Sequence, residues 1–215
     1  MSPRRSYDQY CSAARALDVV GDRWTLLIVR ELLAGPRRYT DLHADLPGVS
    51  TDVLASRLKD MERDGLTTRR RLPPPGAASV YELKPRGREL LPVLQALGVW
   101  GAGELGERRP TDAVRAHWFA LPLLSALKGA GEGLVEVRPA EGDFHGGVFH
   151  LCAGAQDGPV YGEGPAPAEP DARLVLDAGT LAAVSRGETS VADAVREGRI
   201  EVSGEGTLAK ALREG

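Results

Sequence analysis

The sequence has few of the residues that build disulfide frameworks, metal sites or membrane spans. Two cysteines, Cys11 and Cys152, among 215 residues exclude a disulfide scaffold and a zinc site built from cysteines. Four scattered histidines argue against a histidine-rich metal site, so the sequence predicts no metal and no cofactor. No run approaches the ~18 consecutive apolar residues of a membrane helix, and Met1–Arg5 lead into no signal-peptide core. We therefore expect a cytoplasmic protein.

Residues 111–215 also lack a catalytic constellation. They contain no glycine-rich phosphate loop, no nucleophile elbow and no histidine-to-carboxylate spacing that repeats as metal ligands do. His117, His145 and His150 are expected to be hydrogen-bonded or partly exposed rather than ligands. We therefore expect no enzymatic activity.

What the sequence does have is an uneven distribution of charge. The net charge is −3, but residues 1–110 carry 18 basic against 14 acidic residues, hence +4, and residues 111–215 carry 9 against 16, hence −7. This asymmetry favours one polyanion-binding module joined to one that avoids polyanions. Only four of the 27 basic residues are lysine, so an arginine at any single position is weak evidence of phosphate recognition.

The secondary-structure pattern changes across a glycine-rich run, residues 98–106, which is typical of a linker. The pattern before this run is mainly helical, and the pattern after it mixes helices and strands. We expect an α+β fold class with two domains, a mainly helical one over residues 1–104 and one of mixed α and β structure over residues 111–215. The linker is expected at about residues 101–112.

The first half contains the elements of a winged helix-turn-helix in order. A short helix over residues 38–46 ends at a Pro-Gly pair, and Ser50 caps a second helix over residues 50–64. Two strand-like stretches, residues 66–72 and 80–83, flank a proline-rich turn. In a winged helix-turn-helix the second helix enters the major groove and the hairpin forms the wing. The sequence therefore predicts DNA binding.

The helix that follows Ser50 has a short polar surface suited to a groove. Leu54, Leu58 and Met61 recur at helical spacing and are expected to face the core. The polar side chains then point outward, where they can contact base edges or phosphates. The candidate DNA-contacting residues of this helix are Ser50, Thr51, Asp52, Ser56, Arg57 and Lys59.

The predicted wing carries three consecutive arginines, Arg69, Arg70 and Arg71. Strand alternation sends at least one of them to each face. Three neighbouring cations are unsuited to an apolar core, whereas a phosphate backbone or a narrow minor groove attracts them. A solvated strand face is the alternative interpretation.

Several stretches of the first half carry a family resemblance. They are Cys11–Ile28 with Gly21-Asp22-Arg23-Trp24 inside it, Gly35–Leu42, Leu46–Ser50, and Val80–Leu83 before Gly87. Over roughly residues 7–102 the chain resembles the HxlR family of bacterial winged-helix regulators. The resemblance implies a dimer on a palindromic operator, with the first and last helices of this half at the dimer interface. Packing of the last helix, around residues 90–100, on the second half of the chain is the alternative.

Cys11 lies at the start of the first predicted helix, where the helix dipole lowers the pKa of a thiol and favours the thiolate. Several members of the family that this half resembles use a cysteine at this position to sense oxidants or electrophiles. Nothing basic lies closer in sequence than Arg15, so a partly buried, inert thiol is the favoured alternative. Cys152 follows apolar residues on a predicted strand and is expected in the core.

The end of the chain carries a second resemblance, in residues 177–184, 192–198 and 200–204. These stretches resemble sterol-carrier-protein-like domains, in which short helices follow the sheet, a last strand and helix close the fold, and an apolar cavity holds a lipid-like ligand. Short alanine-rich helices leave room for such a pocket, whereas tight packing through alanine is the alternative. The candidate pocket residues are Trp118, Phe119, Phe144, Phe149, Leu151 and Leu181.

The patterns and the two resemblances together imply a dimeric transcription regulator, either repressor or activator. Its winged helix-turn-helix DNA-binding and dimerisation domain is expected over residues 1–104, and its sterol-carrier-protein-like α+β ligand-binding domain over residues 111–215. It binds double-stranded DNA through the helix over residues 50–64 and the wing over residues 66–83, and a hydrophobic small molecule bound in the second half modulates it. The alternative is a second half that serves only as a dimerisation or partner module, with any sensing done by Cys11. The expected partners are DNA, a second copy of the chain and the effector, without a membrane.

Overall fold

The computed structural model describes residues 6–74, 78–106, 108–140, 147–155 and 157–214. The chain divides into two compact units, the first ending at Leu91 and the second beginning at Pro92. Among the described residues, no helix is long and apolar enough to cross a membrane.

The first unit combines helices with a small antiparallel sheet. Its helices are α1 (Ser12–Val20), α2 (Thr25–Leu32), α3 (Tyr39–Asp45), α4 (Thr51–Arg63) and α5 (Pro85–Arg88). Its strands are β1 (Arg37–Arg38), β2 (Thr67–Arg71) and β3 (Ser79–Leu83), in the order β1-β3-β2. The sequence predicted β2 and β3 but missed β1, because two residues carry too little alternation to indicate a strand. Part of the turn between β2 and β3, residues 75–77, lies outside the described residues.

Helix α4 is placed by its cap and its apolar side. The hydroxyl of Ser50 accepts a hydrogen bond from the amide of Val53 at 3.3 Å, which confirms the predicted cap. Leu54, Leu58 and Met61 are all buried, as their spacing predicted. They pack in a core that also contains residues of α2 and α3, so the opposite side of α4 remains exposed. The buried residues from those two helices include Ile28, Val29, Leu32 and Leu42.

The last helix of the first half, expected around residues 90–100, is α6 (Leu91–Gly101), and the short helix α5 precedes it. Pro92 is the second residue of α6, where its missing amide hydrogen costs no intrahelical bond. The proline therefore lies at the start of the helix and not in its interior.

The glycine-rich run predicted as a linker is helical in its first part. Helix α6 continues to Gly101, and a turn of 3-10 helix covers Ala102–Glu104. A glycine lowers helix stability by only about 1 kcal/mol relative to alanine, so a helix that begins well before Gly98 continues through it. The linker was expected at residues 101–112. The two units instead divide between Leu91 and Pro92, on the N-terminal side of that range.

The second unit is a five-stranded sheet with several short helices. Beyond α6 its elements are a 3-10 turn (Ala116–Phe119), α7 (Ala120–Ala126), β4 (Gly133–Pro139), β5 (Phe149–Ala153), β6 (Tyr161–Glu163), β7 (Ala172–Leu176), α8 (Ala178–Arg186), α9 (Val191–Arg196), β8 (Ile200–Ser203) and α10 (Thr207–Glu214). The strand order is β6-β5-β4-β7-β8. Strands β4 and β7 are parallel, and the other neighbouring pairs are antiparallel.

The mixture of helices and strands expected after the glycine-rich run is present in this unit. Asp177 and Ser190 cap α8 and α9 by accepting hydrogen bonds from the amides of Thr180 at 2.7 Å and Asp193 at 3.0 Å. The segment around Trp118 begins as the 3-10 turn and becomes α-helical only at α7.

Candidate nucleic-acid interface

The turn between α3 and α4 is fixed by contacts at both of its ends. The phenolic hydroxyl of Tyr39, at the start of α3, donates a hydrogen bond of 2.7 Å to the backbone oxygen of Thr51, at the start of α4. At the other end of α3, Arg37 donates to Asp45 at 3.1 Å. The Tyr39 hydrogen bond therefore joins α3 to the start of α4, the end of the helix that is expected to enter a DNA groove. The role of Tyr39 was not predictable from the sequence, because a half-exposed tyrosine carries no periodic signal.

The exposed side of α4 contains most of its predicted DNA-contacting residues. Ser50, Thr51, Asp52, Ser56 and Lys59 are all exposed. The Ser50 hydroxyl accepts the capping bond, so its hydrogen remains available to donate to a phosphate oxygen. The Asp52 carboxylate repels phosphate but can accept a hydrogen bond from the amino group of cytosine. Groups for phosphate contact and for base reading therefore lie together at the start of α4.

Arg57 differs from the other predicted contacts because carboxylates surround its guanidinium. Its Nη2 lies 3.1 Å from a carboxylate oxygen of Asp60, and its Nε lies 3.6 Å from one of Asp22. Asp22 also accepts a hydrogen bond of 3.0 Å from the amide of Trp24, just before α2. Arg57 therefore links α4 to the segment that begins α2, and its charge is already offset within the protein.

The wing places its arginines on both faces of the hairpin, as alternation predicts. Arg69 is paired with Tyr81 and Arg71 with Ser79, so these two arginines share one face and Arg70 lies on the other. The Arg69 guanidinium carbon lies 5.9 Å from the centre of the Tyr81 ring, within the range of a cation–π contact. Burial raises the pKa of the Tyr81 hydroxyl, with the Arg69 charge acting in the opposite direction.

Arg70 is paired with a carboxylate on the neighbouring strand. Its Nε lies 3.3 Å and 3.2 Å from the two carboxylate oxygens of Glu82, and its Nη2 lies 3.1 Å from one of them. This pair was not predictable from the sequence, because Glu82 is far from Arg70 in the chain and becomes its neighbour only through the strand register. Within the described part of the chain, Arg71 and Lys59 have no such ion pair.

Cys11 lies immediately before α1 and is exposed. The backbone amides of Ala14 and Ala13, at the start of α1, lower the pKa of its thiol. Among the described residues the Cys11 thiol is exposed rather than partly buried, because α1 begins with small residues. Cys152 is half-buried on β5, where burial raises the pKa of its thiol.

The candidate pocket residues of the second unit differ in exposure. Phe149 and Leu151 are fully buried on one face of β5, and Leu181 of α8 is fully buried as well. Trp118 and Phe119, in the 3-10 turn, are half-buried. Phe144, like His145, lies outside the described residues.

Comparison with known proteins places the first half of the chain in a family. A family model described as HxlR-like helix-turn-helix matches residues 19–109. The chain is 36% identical over 86 residues to the HTH-type transcriptional regulator YvaP of Bacillus subtilis, a match that covers 40% of this chain and 80% of YvaP. It is 37% identical over 92 residues to the HTH-type transcriptional regulator sll1512 of Synechocystis, covering 43% of this chain and 68% of that protein.

Among solved structures, the reduced form of the transcriptional regulator YodB from B. subtilis is 28% identical to this chain. The match covers 47% of this chain and 100% of the YodB chain, with a TM-score of 0.41. The match to YvaP, at more than 30% identity over four fifths of that protein, is close enough to decide the family. The chain belongs to the HxlR-like helix-turn-helix family, and residues 19–109 form the helix-turn-helix region of a DNA-binding transcriptional regulator.

Proposed function

We propose that this chain acts as a dimer that reads a palindromic operator with α4 and the wing. The observation that carries the proposal is the combination of an exposed polar side of α4 with an adjacent strand, β2, that carries three exposed arginines. Short polar side chains suit the major groove, and the arginines suit the phosphate backbone or the minor groove. The wing supplies affinity that depends little on sequence, and α4 supplies the base contacts.

Solvent-exposed apolar side chains are the evidence that favours a dimer. None of the residues of α6 is buried, and Val99 and Trp100 are 71% and 82% exposed. On α1, Leu17 is 49% exposed. An exposed apolar surface of this kind is typical of a protein–protein interface. A second copy of the chain covers it, and two copies of α4 then read half-sites ~34 Å apart, about one turn of DNA.

Selection of bound fragments from a random DNA pool tests this proposal. The expected result is an inverted repeat whose half-sites are separated by about one helical turn, bound by two chains as measured by sedimentation. An asymmetric single site bound by one chain would overturn the dimeric part of the proposal.

The second unit binds a hydrophobic small molecule that modulates DNA binding, and neither unit is an enzyme. The order of its last elements supports this part of the proposal: α8 and α9 follow the sheet, and β8 and α10 close the fold, as in sterol-carrier-protein-like domains. Phe149, Leu151 and Leu181 are buried and Trp118 and Phe119 half-buried, so the residues assigned to the proposed pocket are apolar and shielded from water. Modulation requires the effector to bind the DNA-competent and DNA-incompetent forms with different affinity.

A fluorescent fatty-acid analogue tests the effector proposal. We expect it to bind the full chain, and to bind with a different dissociation constant once operator DNA is present, because linkage is reciprocal. Equal dissociation constants with and without DNA would contradict modulation, and the absence of binding would contradict the pocket.

A second candidate function is favoured by the exposure and lowered thiol pKa of Cys11. In this alternative the second unit serves only as a dimerisation or partner module, and oxidants or electrophiles act on Cys11. The rate of alkylation measured against pH gives the thiol pKa. A value below ~8.5, with loss of DNA binding on alkylation that a Cys11→Ser variant resists, would support the alternative. A value at or above that of free cysteine would exclude it.

A further inference from the structure

We propose that Glu82 sets the DNA affinity of the wing by offsetting the charge of Arg70. The middle arginine of the wing then contributes little to phosphate binding while the ion pair is intact. The inference rests on the proposed contact between the wing and DNA, and it assigns to Glu82 a role in setting affinity. Removing the carboxylate while keeping the shape of the side chain should therefore strengthen DNA binding.

The strand register brings the two side chains together. Thr68 lies opposite Glu82 and Arg70 lies opposite Val80, so Arg70 and Glu82 are diagonal neighbours on the same face of the hairpin. Long side chains reach each other at this diagonal spacing. Glu82 contacts Arg70 through both of its carboxylate oxygens, at 3.1 to 3.3 Å. The Nε and Nη2 groups of Arg70 therefore already bind a carboxylate. A phosphate that bound the same two groups would have to compete with Glu82.

The other two wing arginines differ from Arg70 in this respect. The guanidinium of Arg69 lies over the Tyr81 ring, and among the described residues no carboxylate lies within ion-pair distance of Arg69 or of Arg71. Arg69 and Arg71 can therefore meet phosphate without breaking an ion pair described here, whereas Glu82 offsets the charge of Arg70.

The Arg70–Glu82 ion pair is weak enough for a DNA phosphate to break it. Glu82 therefore adjusts the affinity of the wing for DNA and does not prevent binding. The side chains of Arg70 and Glu82 are 46% and 25% exposed, so water screens their attraction. A phosphate that approaches Arg70 must either displace the Glu82 carboxylate or bind beside it. In the first case an ion pair is lost, and in the second the carboxylate repels the phosphate.

The test compares Glu82→Gln with Glu201→Gln in the full chain. Both changes remove one negative charge, but Glu201 is an exposed residue of β8 in the second unit. We expect Glu82→Gln to tighten binding to random duplex DNA by about fivefold for each wing engaged, the factor that corresponds to one charge–charge contact in water. The slope of log affinity against log salt should steepen by up to ~0.9 for each wing. Glu201→Gln should change neither quantity.

Arg70→Ala in the same assay shows whether the gain passes through Arg70. In an Arg70→Ala background, Glu82→Gln still removes a charge that repels phosphate but frees no arginine, so the salt slope should not steepen even where affinity rises. A salt slope that steepens equally with and without Arg70 would overturn the inference, and so would identical affinities for Glu82→Gln and the unchanged protein. Failure of the unchanged protein to bind DNA at low salt would instead overturn the proposed wing contact itself. Thermal melts of each variant check that the fold is retained.

Discussion

At Thr67, the first residue of β2, a buried hydroxyl has no hydrogen-bond partner among the described residues. An unpaired buried polar group costs about 1–3 kcal/mol. We expect Thr67→Val, which replaces the hydroxyl with a methyl group, to raise the free energy of unfolding by about 1 kcal/mol in denaturant titrations. DNA affinity should stay unchanged. A destabilised variant would show that the hydroxyl has a partner in solution.

Glu136, on β4, is a buried carboxylate held by several donors. It accepts a hydrogen bond of 2.9 Å from the amide of Ala166 and one of 2.7 Å from Arg138, and Arg173 lies 3.6 Å away. Burial raises the pKa of this carboxyl, but the Ala166 amide and the two arginines outweigh burial, so its pKa lies below the ordinary value.

The lowered pKa of Glu136 makes stability depend on pH. Its stabilising contribution is complete above the unfolded pKa of ~4.3 and is lost as the pH falls through the lower folded value. We expect Glu136→Gln to lower the free energy of unfolding by about 1–3 kcal/mol at pH 7, because charged donors lose their acceptor. The difference from the unchanged protein should shrink below pH 4 in denaturant titrations. A difference that is constant with pH would contradict this account.

The elements of the candidate site were more predictable from the sequence than the contacts between them. Leu54, Leu58 and Met61 indicated the buried side of α4, since helical spacing is a local property of the chain. The partners of Arg57 and Arg70 were not predictable, because Asp22 and Glu82 approach them only after helices pack and strands take their register. The missing information was therefore tertiary.

Within the wing, the Arg70–Glu82 ion pair predicts that Arg70 and Arg71 contribute unequally to DNA binding. Arg71→Ala should weaken binding to all DNA sequences and reduce the salt slope by ~0.9 for each wing engaged. Arg70→Ala should reduce the salt slope less, because Glu82 already occupies the Arg70 guanidinium. Fluorescence anisotropy over a range of salt concentrations measures both slopes. Ser56→Ala, on α4, provides the contrast, since it should change sequence preference and leave the salt slope unaltered. Equal reductions of the salt slope by the two arginine variants would contradict the pairing.

Helix α5 packs closely on the start of the wing at Gly87. A β-carbon added there would lie 2.3 Å from the backbone oxygen of Leu66, nearer than two atoms can approach. We expect Gly87→Ala to lower the free energy of unfolding by about 1–3 kcal/mol. Gly98→Ala, where an added β-carbon meets nothing within 4 Å, should instead stabilise α6 by about 0.5–1 kcal/mol. Melting both at one protein concentration compares them, and a tolerated Gly87→Ala would contradict the close packing.

For the whole molecule, the exposed apolar residues of α6 predict how assembly depends on a single side chain. Trp100 is 82% exposed, and Trp100→Glu places a charge where a second copy is proposed to pack. We expect this variant to sediment as a monomer and to lose affinity for a palindromic site while keeping its melting temperature at low concentration. Val175→Glu, at an apolar residue of β7 that is 41% exposed, is the matched control and should remain dimeric. A dimeric Trp100→Glu variant would place the interface elsewhere.

The position of β4 at the centre of the second sheet has a consequence for synthesis on the ribosome. Strand β4 begins at Gly133, but its parallel neighbour β7 begins only at Ala172. A nascent chain that has emerged only as far as β6 therefore exposes one side of its middle strand, with unpaired amides and carbonyls beside valines. During that interval the growing polypeptide is open to aggregation, and the first unit, already complete, folds ahead of it.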